Sequence, residues 1–309
     1  MPDNEKYVVT IGGLCIDEYY HTEYWPQEGN KAVIKKDANM AGGMIPNAAA
    51  VFAGYGEKTY FYDVMNSGPV TQYLENELQG YGIDTSLIEY DENLPDAKCI
   101  IVRAGKERTI LVVDSQKDRF SLNRKQLDIF RGAEYIYTTI SEMKKFENYM
   151  DLVKDLKSHG AQIVFDVETS TYKKEDAVLL EMADVLFFNE FGFEAYREER
   201  NEEECYQHLF QCGVKVVTVT LGEDGSYTRT PTQENKTKAL RFDVVDTTGA
   251  GDTFNSSFVR CLMNQMSIQE SARFANAAAG RSVTVMGPKG GVCSAEEIEK
   301  LVNENYDKF

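Results

Sequence analysis

The stretch Asp246-Thr247-Thr248-Gly249-Ala250-Gly251-Asp252 places two glycines and an acid between two periodic segments. The apolar run 242–245 before it predicts a short strand, and Phe254, Phe258 and Leu262 after it predict one face of a helix. The first N–H groups of a helix have no partner inside the helix and point toward whatever lies beyond its end. Because glycines let the backbone approach such a group closely, this strand, turn and helix predict an anion site.

Asp252 has two interpretations. In the first it caps the helix, which is a structural role. In the second it accepts a proton from a hydroxyl group that attacks a phosphate held by the same N–H groups. A carboxylate beside a phosphate adds like-charge repulsion, which is tolerable where the acid has a catalytic role.

The chain of 309 residues carries a net charge of −17, and 42% of its residues are hydrophobic. A chain of this length can bury a large core. Its negative net charge argues against nonspecific nucleic-acid binding, which needs a basic surface. It has no run of 18 apolar residues, and its polar start is unlike a signal peptide. We therefore expect a cytoplasmic protein with no nucleic-acid or membrane partner.

Six cysteines are scattered along the chain without a Cys-x-x-Cys pair: Cys15, Cys99, Cys205, Cys212, Cys261 and Cys293. The chain has three histidines, and none of them lies near a cysteine pair. We therefore expect free thiols and no zinc site. The scarcity of histidine also argues against a Ser-His-Asp or Cys-His mechanism.

From residue 120 onward, apolar runs of strand length alternate with segments of helical period. The predicted strands of this part are 135–139, 163–167, 185–188 and 214–220. Such alternation predicts an α/β domain with a parallel sheet and helices on both faces. Ligands of these sheets bind beyond the carboxyl ends of the strands, where Asn189, Gly222 and the turn 249–252 fall.

The first part of the chain is less regular. Residues 7–11 and 59–62 predict strands, and 98–103 with 109–113 predict a hairpin around a turn at 104–107. The segment 14–40, rich in tyrosine and charge, is expected to be irregular.

Several motifs together resemble the ribokinase-like (PfkB) carbohydrate kinases. The stretch 246–252 resembles the second signature of that family, and Gly42-Gly43-x-x-x-Asn47 resembles the first, which lines the sugar pocket. Asp17 stands where the family keeps an acceptor for a sugar hydroxyl. Thr220-Leu221-Gly222-x-x-Gly225 resembles its nucleotide loop, and Asn276 falls where it has an asparagine near the adenine. The motifs follow the family's order from residue 7 to about residue 295.

The resemblance implies a ribokinase-like fold. This is a central, mostly parallel sheet with helices on both faces, plus a small β-sheet lid formed by segments 14–36 and 96–116 within one domain of residues 1–309. Such lids exclude water from the reaction. They also pair between subunits and protect their sheet edges in that way, which implies a homodimer.

The resemblance also implies ATP-dependent phosphorylation of a small, sugar-like alcohol. Asp252 would be the general base, and the N–H groups of Gly249, Ala250 and Gly251 would form an anion hole. The residues that would orient the sugar are Asp17, Gly42, Gly43 and Asn47. The residues that would bind the nucleotide are Asn189, Thr220, Gly222, Gly225 and Asn276. Arg108, on the lid hairpin, is either a solvated charge or a partner for an acidic substrate group.

The implied cofactors are ATP and Mg²⁺, the latter bound largely through water. The family usually has Asn-x-x-Glu where this chain has Asn189-Glu190-Phe191-Gly192, so Glu190 or Glu194 would serve the magnesium waters instead. The resemblance further allows a monovalent cation, such as K⁺, beside the anion hole. Its ligands would come from Asp246, Thr248, Ser282, Val285 and Gly287. Asp246 alternatively caps the turn and binds no ion.

Three functions stay open at this point. The first is a sugar kinase with a fructose-, ribose- or keto-deoxy-sugar-acid-like substrate. The second is a nucleoside kinase of the same fold, in which lid aromatics such as Tyr24 and Trp25 would stack on a base. The third is a sugar-binding regulator that has lost catalysis, which the presence of Asp252 disfavours.

Overall fold

The structure is a computed structural model, and it describes residues 6–105, 107–167 and 172–306, with the side chain of Glu107 excepted. Lys106, which belongs to the predicted hairpin turn, lies outside the described residues, as do residues 1–5 of the predicted polar start. The strands are β1 Tyr7–Ile11, β2 Cys15–Thr22, β3 Lys35–Gly42, β4 Lys58–Tyr62, β5 Val64–Met65, β6 Glu89–Tyr90, β7 Lys98–Ala104, β8 Glu107–Val112, β9 Tyr135–Thr139, β10 Gln162–Val167, β11 Val185–Asn189, β12 Val216–Thr220, β13 Ser226–Arg229 and β14 Glu234–Thr237. The α-helices are α1 Met44–Gly54, α2 Pro69–Gly80, α3 Arg124–Gly132, α4 Ile140–Met143, α5 Tyr149–Ser158, α6 Ala177–Leu180, α7 Glu190–Arg197, α8 Glu202–Cys212, α9 Ala250–Met263, α10 Ile268–Ser282 and α11 Ala295–Asn305.

The main sheet has the strand order β14-β13-β12-β11-β10-β9-β1-β4. The six strands from β12 to β4 in this order run parallel, and β13 and β14 add an antiparallel edge. The central strand β9 is buried at every position, as expected for a parallel sheet that helices cover on both faces. The predicted mostly parallel sheet is therefore confirmed.

Alternate residues of the central strands enter two different cores. Phe188 and Val9 belong to one hydrophobic cluster, whereas Phe187 and Val8 belong to the other. The predicted apolar face of α9 packs into the second cluster, where the rings of Phe187 and Phe258 have centroids 5.7 Å apart. This packing fixes α9 against the sheet and thereby positions its first turn.

The predicted strand at 242–245 is wrong. The backbone there leaves the sheet after β14, and the N–H groups of Val245 and Asp246 both donate to the carbonyl of Val283, at 2.8 and 3.1 Å. Val244 and Val245 are more than half exposed. A segment of three apolar residues and one acid cannot show whether it enters a sheet, and here the N–H of Val245 binds the residue after α10 instead of a neighbouring strand.

The expectation of an irregular segment at 14–40 is also wrong, because it contains β2 and most of β3. These strands form a second sheet in the order β3-β2-β7-β8, which we call the small sheet. The predicted hairpin of β7 and β8 is confirmed, with Val102 opposite Thr109. The polar sequence of β3 has little strand propensity, so pairing with β2 rather than local preference makes it a strand. The small sheet consequently reaches Gly42, beyond the predicted boundary at residue 36.

No helix of the described residues has both the length and the hydropathy that a membrane crossing requires.

Candidate active site

The turn before α9 has the conformation that its glycines predict. Gly249 precedes the helix with a φ of 78°, and a Cβ atom there would lie 2.0 Å from the carbonyl oxygen of Pro288. Gly251 has open space beside its α-carbon within the described structure. The first N–H groups of a 14-residue helix therefore face a region that side chains leave open.

Asp252 lies in the first turn of α9 and is 8% exposed. Its Oδ2 accepts a hydrogen bond of 2.8 Å from Nδ2 of Asn47 on α1. The second polar atom of the Asn47 side chain, Oδ1, is buried and has no hydrogen-bond partner among the described residues. A buried acceptor without a donor costs free energy, so this oxygen is suited to receive a donor from a ligand.

Asp17 lies on β2 and is 7% exposed. Burial raises the pKa of this carboxyl group, although the Cys15 thiol and the charge of Lys289 oppose the shift. Gly42 faces it closely, since a Cβ atom on Gly42 would lie 2.0 Å from Oδ2 of Asp17. Gly43 has a φ of 108°, and a Cβ atom there would lie 2.0 Å from the carbonyl oxygen of Gly13. A larger residue would therefore clash with the Asp17 side chain at position 42 and with the Gly13 backbone at position 43.

Lys289 is a residue that the sequence interpretation missed. Its half-buried Nζ donates to the carbonyl of Ala41, beside the glycine pair. Burial lowers the pKa of this lysine, and the negative charges of Glu77, Asp17 and Asp252 oppose that shift. Lys289 thus brings a positive charge between the two buried acids. No local signal marks it, because its neighbours in the sequence are glycines and a proline.

A cavity of about 460 Å³ borders the first turn of α9. Its lining includes the following predicted residues: Thr220, Gly222, Gly225, Ala250, Gly251 and Asn276. Phe242 lines it as well and lies against Gly280, where a Cβ atom would come within 2.7 Å of the ring. The cavity therefore combines an apolar slot with the backbone of the turn, where the N–H of Ala250 donates to the carbonyl of Thr247 at 3.3 Å.

Asn276 lines this cavity from α10, but its amide group is engaged within the protein. Nδ2 donates to Oγ of Ser226 and to the carbonyl of Ala272, both at 2.8 Å. The bond to Ser226 ties α10 to β13 at the wall of the cavity, whereas Ala272 lies one turn earlier in α10 itself. Asn276 therefore braces this wall, and its contact with a nucleotide stays a prediction.

Two predicted residues are not brought to this cavity. Oδ1 of Asn189 accepts a hydrogen bond of 2.6 Å from the N–H of Gly192 and so caps α7. Glu190 lines a different cavity, together with Glu194 and Lys236. The placement of Glu190 therefore gives no support to a magnesium role, and that role stays a prediction.

The structure brings the predicted cation ligands together, but Asp246 is already satisfied. Its Oδ1 accepts from the N–H of Thr248 at 3.0 Å and from the hydroxyl of Thr248 at 2.8 Å, and its Oδ2 accepts from the N–H of Gly287 at 3.0 Å. Burial raises the pKa of Asp246, but these hydrogen bonds outweigh it and hold the value below the ordinary range. The carbonyl oxygens of Ser282 and Val285 face Gly290, where a Cβ atom would lie 2.7 and 3.1 Å from them. The Ser282 carbonyl already accepts a hydrogen bond of 3.2 Å from the N–H of Val285, and the Asp246 carboxylate holds the loop through its own hydrogen bonds, so the monovalent cation stays a prediction.

Arg108 connects the small sheet to the turn. From β8 its Nη1 donates to Oγ1 of Thr248 at 2.5 Å and lies 4.0 Å from Oδ1 of Asp246. Its side chain is 43% exposed. Arg108 is therefore placed at the rim of the site, in contact with the turn.

Comparison with known proteins identifies the family of this chain. The model of the pfkB family carbohydrate kinases matches residues 5–293. A ribokinase of Haemophilus influenzae is 23% identical over 302 residues, which cover 94% of this chain and 97% of that protein. A 5-dehydro-2-deoxygluconokinase of Geobacillus kaustophilus is 23% identical and is covered over 93% of its length, against 96% of this chain.

Among solved structures, Arabidopsis thaliana ribokinase complexed with ribose and ATP is similar, with a TM-score of 0.82 and 25% identity. The similarity covers 98% of this chain and 99% of that one. Since the family model spans nearly the whole chain, this protein belongs to the pfkB family of carbohydrate kinases.

Proposed function

We propose that this ATP-dependent carbohydrate kinase transfers the γ-phosphate of ATP to a hydroxyl group of a sugar or sugar acid, with Asp252 as the general base. One observation carries the proposal. Asp252 stands in the first turn of α9, directly after Gly251, which lines the cavity, and its carboxylate accepts a hydrogen bond from the buried side chain of Asn47. A carboxylate that adjoins both the cavity and the predicted sugar-binding motif can take a proton from a hydroxyl group that attacks a phosphate.

Each group of residues has its own role in the proposed reaction. Asp17 and the buried Oδ1 of Asn47 accept hydrogen bonds from sugar hydroxyl groups and orient the substrate. The reacting hydroxyl passes its proton to the Asp252 carboxylate as its oxygen bonds to the γ-phosphorus, and the bond from that phosphorus to the leaving oxygen breaks. The N–H groups of Gly249, Ala250 and Gly251 donate to the phosphate oxygens while charge develops on them.

The cavity of about 460 Å³ is where we place ATP. Thr220, Gly222 and Gly225 line one end and the first turn of α9 lines the other, so a nucleotide there would direct its phosphates at the anion hole. When bound with the nucleotide, Mg²⁺ neutralises phosphate charge. We also propose that Glu190 binds the water ligands of Mg²⁺. The proposed K⁺ site is formed by Asp246, Thr248, Ser282, Val285 and Gly287.

The substrate class is a fructose-, ribose- or keto-deoxy-sugar-acid-like molecule. The similar proteins named above include ribokinases and 5-dehydro-2-deoxygluconokinases, which supports both the pentose and the sugar-acid alternatives. Lys289 favours a sugar acid, because a half-buried ammonium group beside Asp17 offers a partner to a carboxylate.

The deciding experiment is an ADP-release assay with Mg-ATP, with and without potassium. The panel contains hexoses, pentoses, ketoses, sugar acids, sugar phosphates and nucleosides. Turnover of a sugar or sugar acid well above the ATPase background supports the proposal, whereas turnover of nucleosides alone supports the nucleoside kinase alternative. Sugar binding without any turnover supports a regulator without catalysis.

The small sheet is proposed as the lid of the sugar site and as the contact of a homodimer. Its edge strand β8 exposes Ile110, Leu111 and Val112 by 49, 48 and 77%. An exposed apolar edge strand favours association with a second copy. A sedimentation measurement on the protein and on the Leu111→Lys variant tests this, since a dimer built on β8 dissociates in the variant. We further propose a cytoplasmic location, because all six cysteines are free thiols.

A further inference from the structure

Two cysteines far apart in the sequence meet beside the substrate-binding acid. Cys15 lies on β2 and Cys99 on the neighbouring parallel strand β7, and their Sγ atoms are 3.7 Å apart. Sγ of Cys15 is also 3.6 Å from Oδ1 of Asp17, which follows it by two positions on the same face of β2. One donor atom from each of the three side chains lies within 4.8 Å of the other two.

These separations match the coordination sphere of zinc. With Zn–S bonds of about 2.3 Å and tetrahedral angles, two sulfur ligands of one ion lie about 3.8 Å apart. With a Zn–O bond of about 2.1 Å, a sulfur and an oxygen ligand lie about 3.6 Å apart. The three donors are therefore already spaced as ligands of a single ion, before any ion is present.

A disulfide fits the same pair less well. Disulfide sulfur atoms lie about 2.05 Å apart, so the two thiols would have to approach much further. The strand register opposes this, because Cys99 is paired with Asp17 and the two cysteines are offset by two positions. Paired strands in a sheet cannot slide by that amount without losing their hydrogen bonds.

The charge balance also suits a divalent ion. A cysteine thiol ordinarily has a pKa of about 8.5, so the ion-free pair is largely protonated at neutral pH. Binding follows Zn²⁺ + 2 RSH → Zn(SR)₂ + 2 H⁺. Two positive charges arrive and two protons leave, so the local charge set by Asp17 and Lys289 does not change. The site thus accepts the ion without leaving an uncompensated charge in a half-buried place.

We propose that Cys15, Asp17 and Cys99 form a three-ligand site for a thiophilic divalent cation, represented by Zn²⁺, and that the bound ion inhibits the kinase by occupying Asp17. Three protein ligands leave a fourth tetrahedral position to water. Ion binding itself does not depend on the catalytic assignment, whereas the inhibition rests on the proposed function. The sequence interpretation expected no zinc site because the chain has no Cys-x-x-Cys pair and few histidines, whereas Cys15 and Cys99 are 84 positions apart and are brought together by strand pairing.

Ion binding is tested first, without any assay of activity. A second potential ligand group, Glu181, His208 and Cys212, lies on the surface near α8, so the measurement uses a His208→Ala/Cys212→Ser background. Titration of the metal-stripped protein with Co²⁺ is expected to produce thiolate-to-cobalt charge-transfer bands that saturate at one equivalent. Titration with Zn²⁺ in weak buffer is expected to release two protons per ion.

Substitutions test which cysteines bind the ion. Cys99→Ser is expected to weaken Zn²⁺ binding by at least about tenfold, because losing even an outer partner of a metal ligand costs about 10–100-fold in affinity. Cys293→Ser, at a half-buried thiol elsewhere, is the matched control and is expected to bind as the background does. Cys99→Ala, checked by circular dichroism, serves as a second variant if the serine substitution impairs folding. The site is refuted if both Cys99 variants bind Zn²⁺ as tightly as the control.

Inhibition is tested separately with a zinc buffer and saturating Mg-ATP. We expect Zn²⁺ to raise KM for the sugar in the background protein and in Cys293→Ser, and to require at least about tenfold more free ion in Cys99→Ser. Stoichiometric ion binding without any change in KM would refute the inhibitory role and keep the site. Absence of turnover in ion-free protein would instead count against the proposed function, while the cobalt and proton measurements still decide the site.

Discussion

Nδ2 of Asn47 donates a hydrogen bond of 2.8 Å to Oδ2 of Asp252 and joins α1 to α9 across 205 positions of the chain. The first helix follows the glycine pair at Gly42 and Gly43, and the second follows Gly249. This bond therefore couples the predicted sugar-binding motif to the predicted base. It also leaves Oδ1 of Asn47 as a buried acceptor at the boundary between them.

Asp252→Asn removes the base but preserves the size of the side chain. We expect kcat to fall by about 10²–10⁴-fold, since that is the usual contribution of a general base, while ATP and sugar still bind. Steady-state kinetics and calorimetric binding measure the two effects. Asp243→Asn, at an exposed acid on the same approach to the turn, is the control and should leave kcat unchanged. Turnover within about tenfold of the original protein would show that Asp252 is not the base.

Asn47→Asp replaces the donor to Asp252 with a second carboxylate. Two like charges at hydrogen-bond distance cannot ionise as easily as one, so the pair retains a proton to higher pH. The acid limb of the pH profile of kcat should therefore move to higher pH. Asn47→Ala removes the donor without adding charge, and it should raise KM for the sugar with a smaller movement of that limb. Equal profiles for the two variants would contradict the contact.

Gly42→Ala tests the close approach of the glycine pair to Asp17. The added Cβ atom would lie 2.0 Å from Oδ2 of Asp17, so the carboxylate has to move. Because a displacement of about 1 Å can cost about 10²-fold, we expect kcat/KM for the sugar to fall by that order while KM for ATP stays unchanged. Gly80→Ala, at a helix end with open space beside the α-carbon, is the control. A loss shared equally by both substrates would point to misfolding instead.

Lys289→Met removes the positive charge between the two buried acids. A hydrogen bond to a charged group contributes about 1.5–3 kcal/mol, which corresponds to about 10–100-fold in KM for a sugar acid bound through its carboxylate. Neutral sugars should be affected less. Kinetics on one acidic and one neutral substrate measure the difference, with Lys125→Met on the exposed face of α3 as control. If both substrates lose equally, Lys289 does not select for an acid.

Alkaline unfolding should follow the buried tyrosines. Burial raises the pKa of Tyr196 to about 12 and raises the pKa of Tyr62 and Tyr206 further. Because the unfolded chain releases these protons near pH 10, stability is intact below that pH and is lost as pH rises through the folded values. The part of the tyrosinate absorbance that comes from these buried tyrosines should therefore appear together with the loss of far-ultraviolet circular dichroism, in one cooperative step.

Tyr206→Phe sharpens this test. The hydroxyl of Tyr206 is buried and has no hydrogen-bond partner among the described residues. Removing it takes away both an unsatisfied polar group and an ionisable one, so the alkaline midpoint should move to higher pH. A midpoint that falls would show that this hydroxyl stabilises the fold.

The six parallel strands of the main sheet were predictable because each one is a largely buried apolar run. The antiparallel strands β13 and β14 were not predicted. The predicted 135–139 coincides with β9, and 185–188 lies one residue short of β11. The strand predicted at 242–245 failed because its apolar side chains line a cavity instead of entering the sheet. The strand β3 was missed because its polar sequence depends on a partner that lies elsewhere in the chain.

The amino-acid sequence alone determined the parallel sheet, the glycine turn before α9 and the acid in its first turn, because each follows from local periodicity and backbone conformation. The sequence also showed that the motif containing Asn47 precedes the motif containing Asp252, in the order that the family has. Only the tertiary structure decided which side chains meet: Lys289 with the glycine pair, Arg108 with Thr248, and Cys15 with Cys99. These contacts join residues far apart in the chain, and their distances depend on how strands and helices pack, which no local pattern specifies.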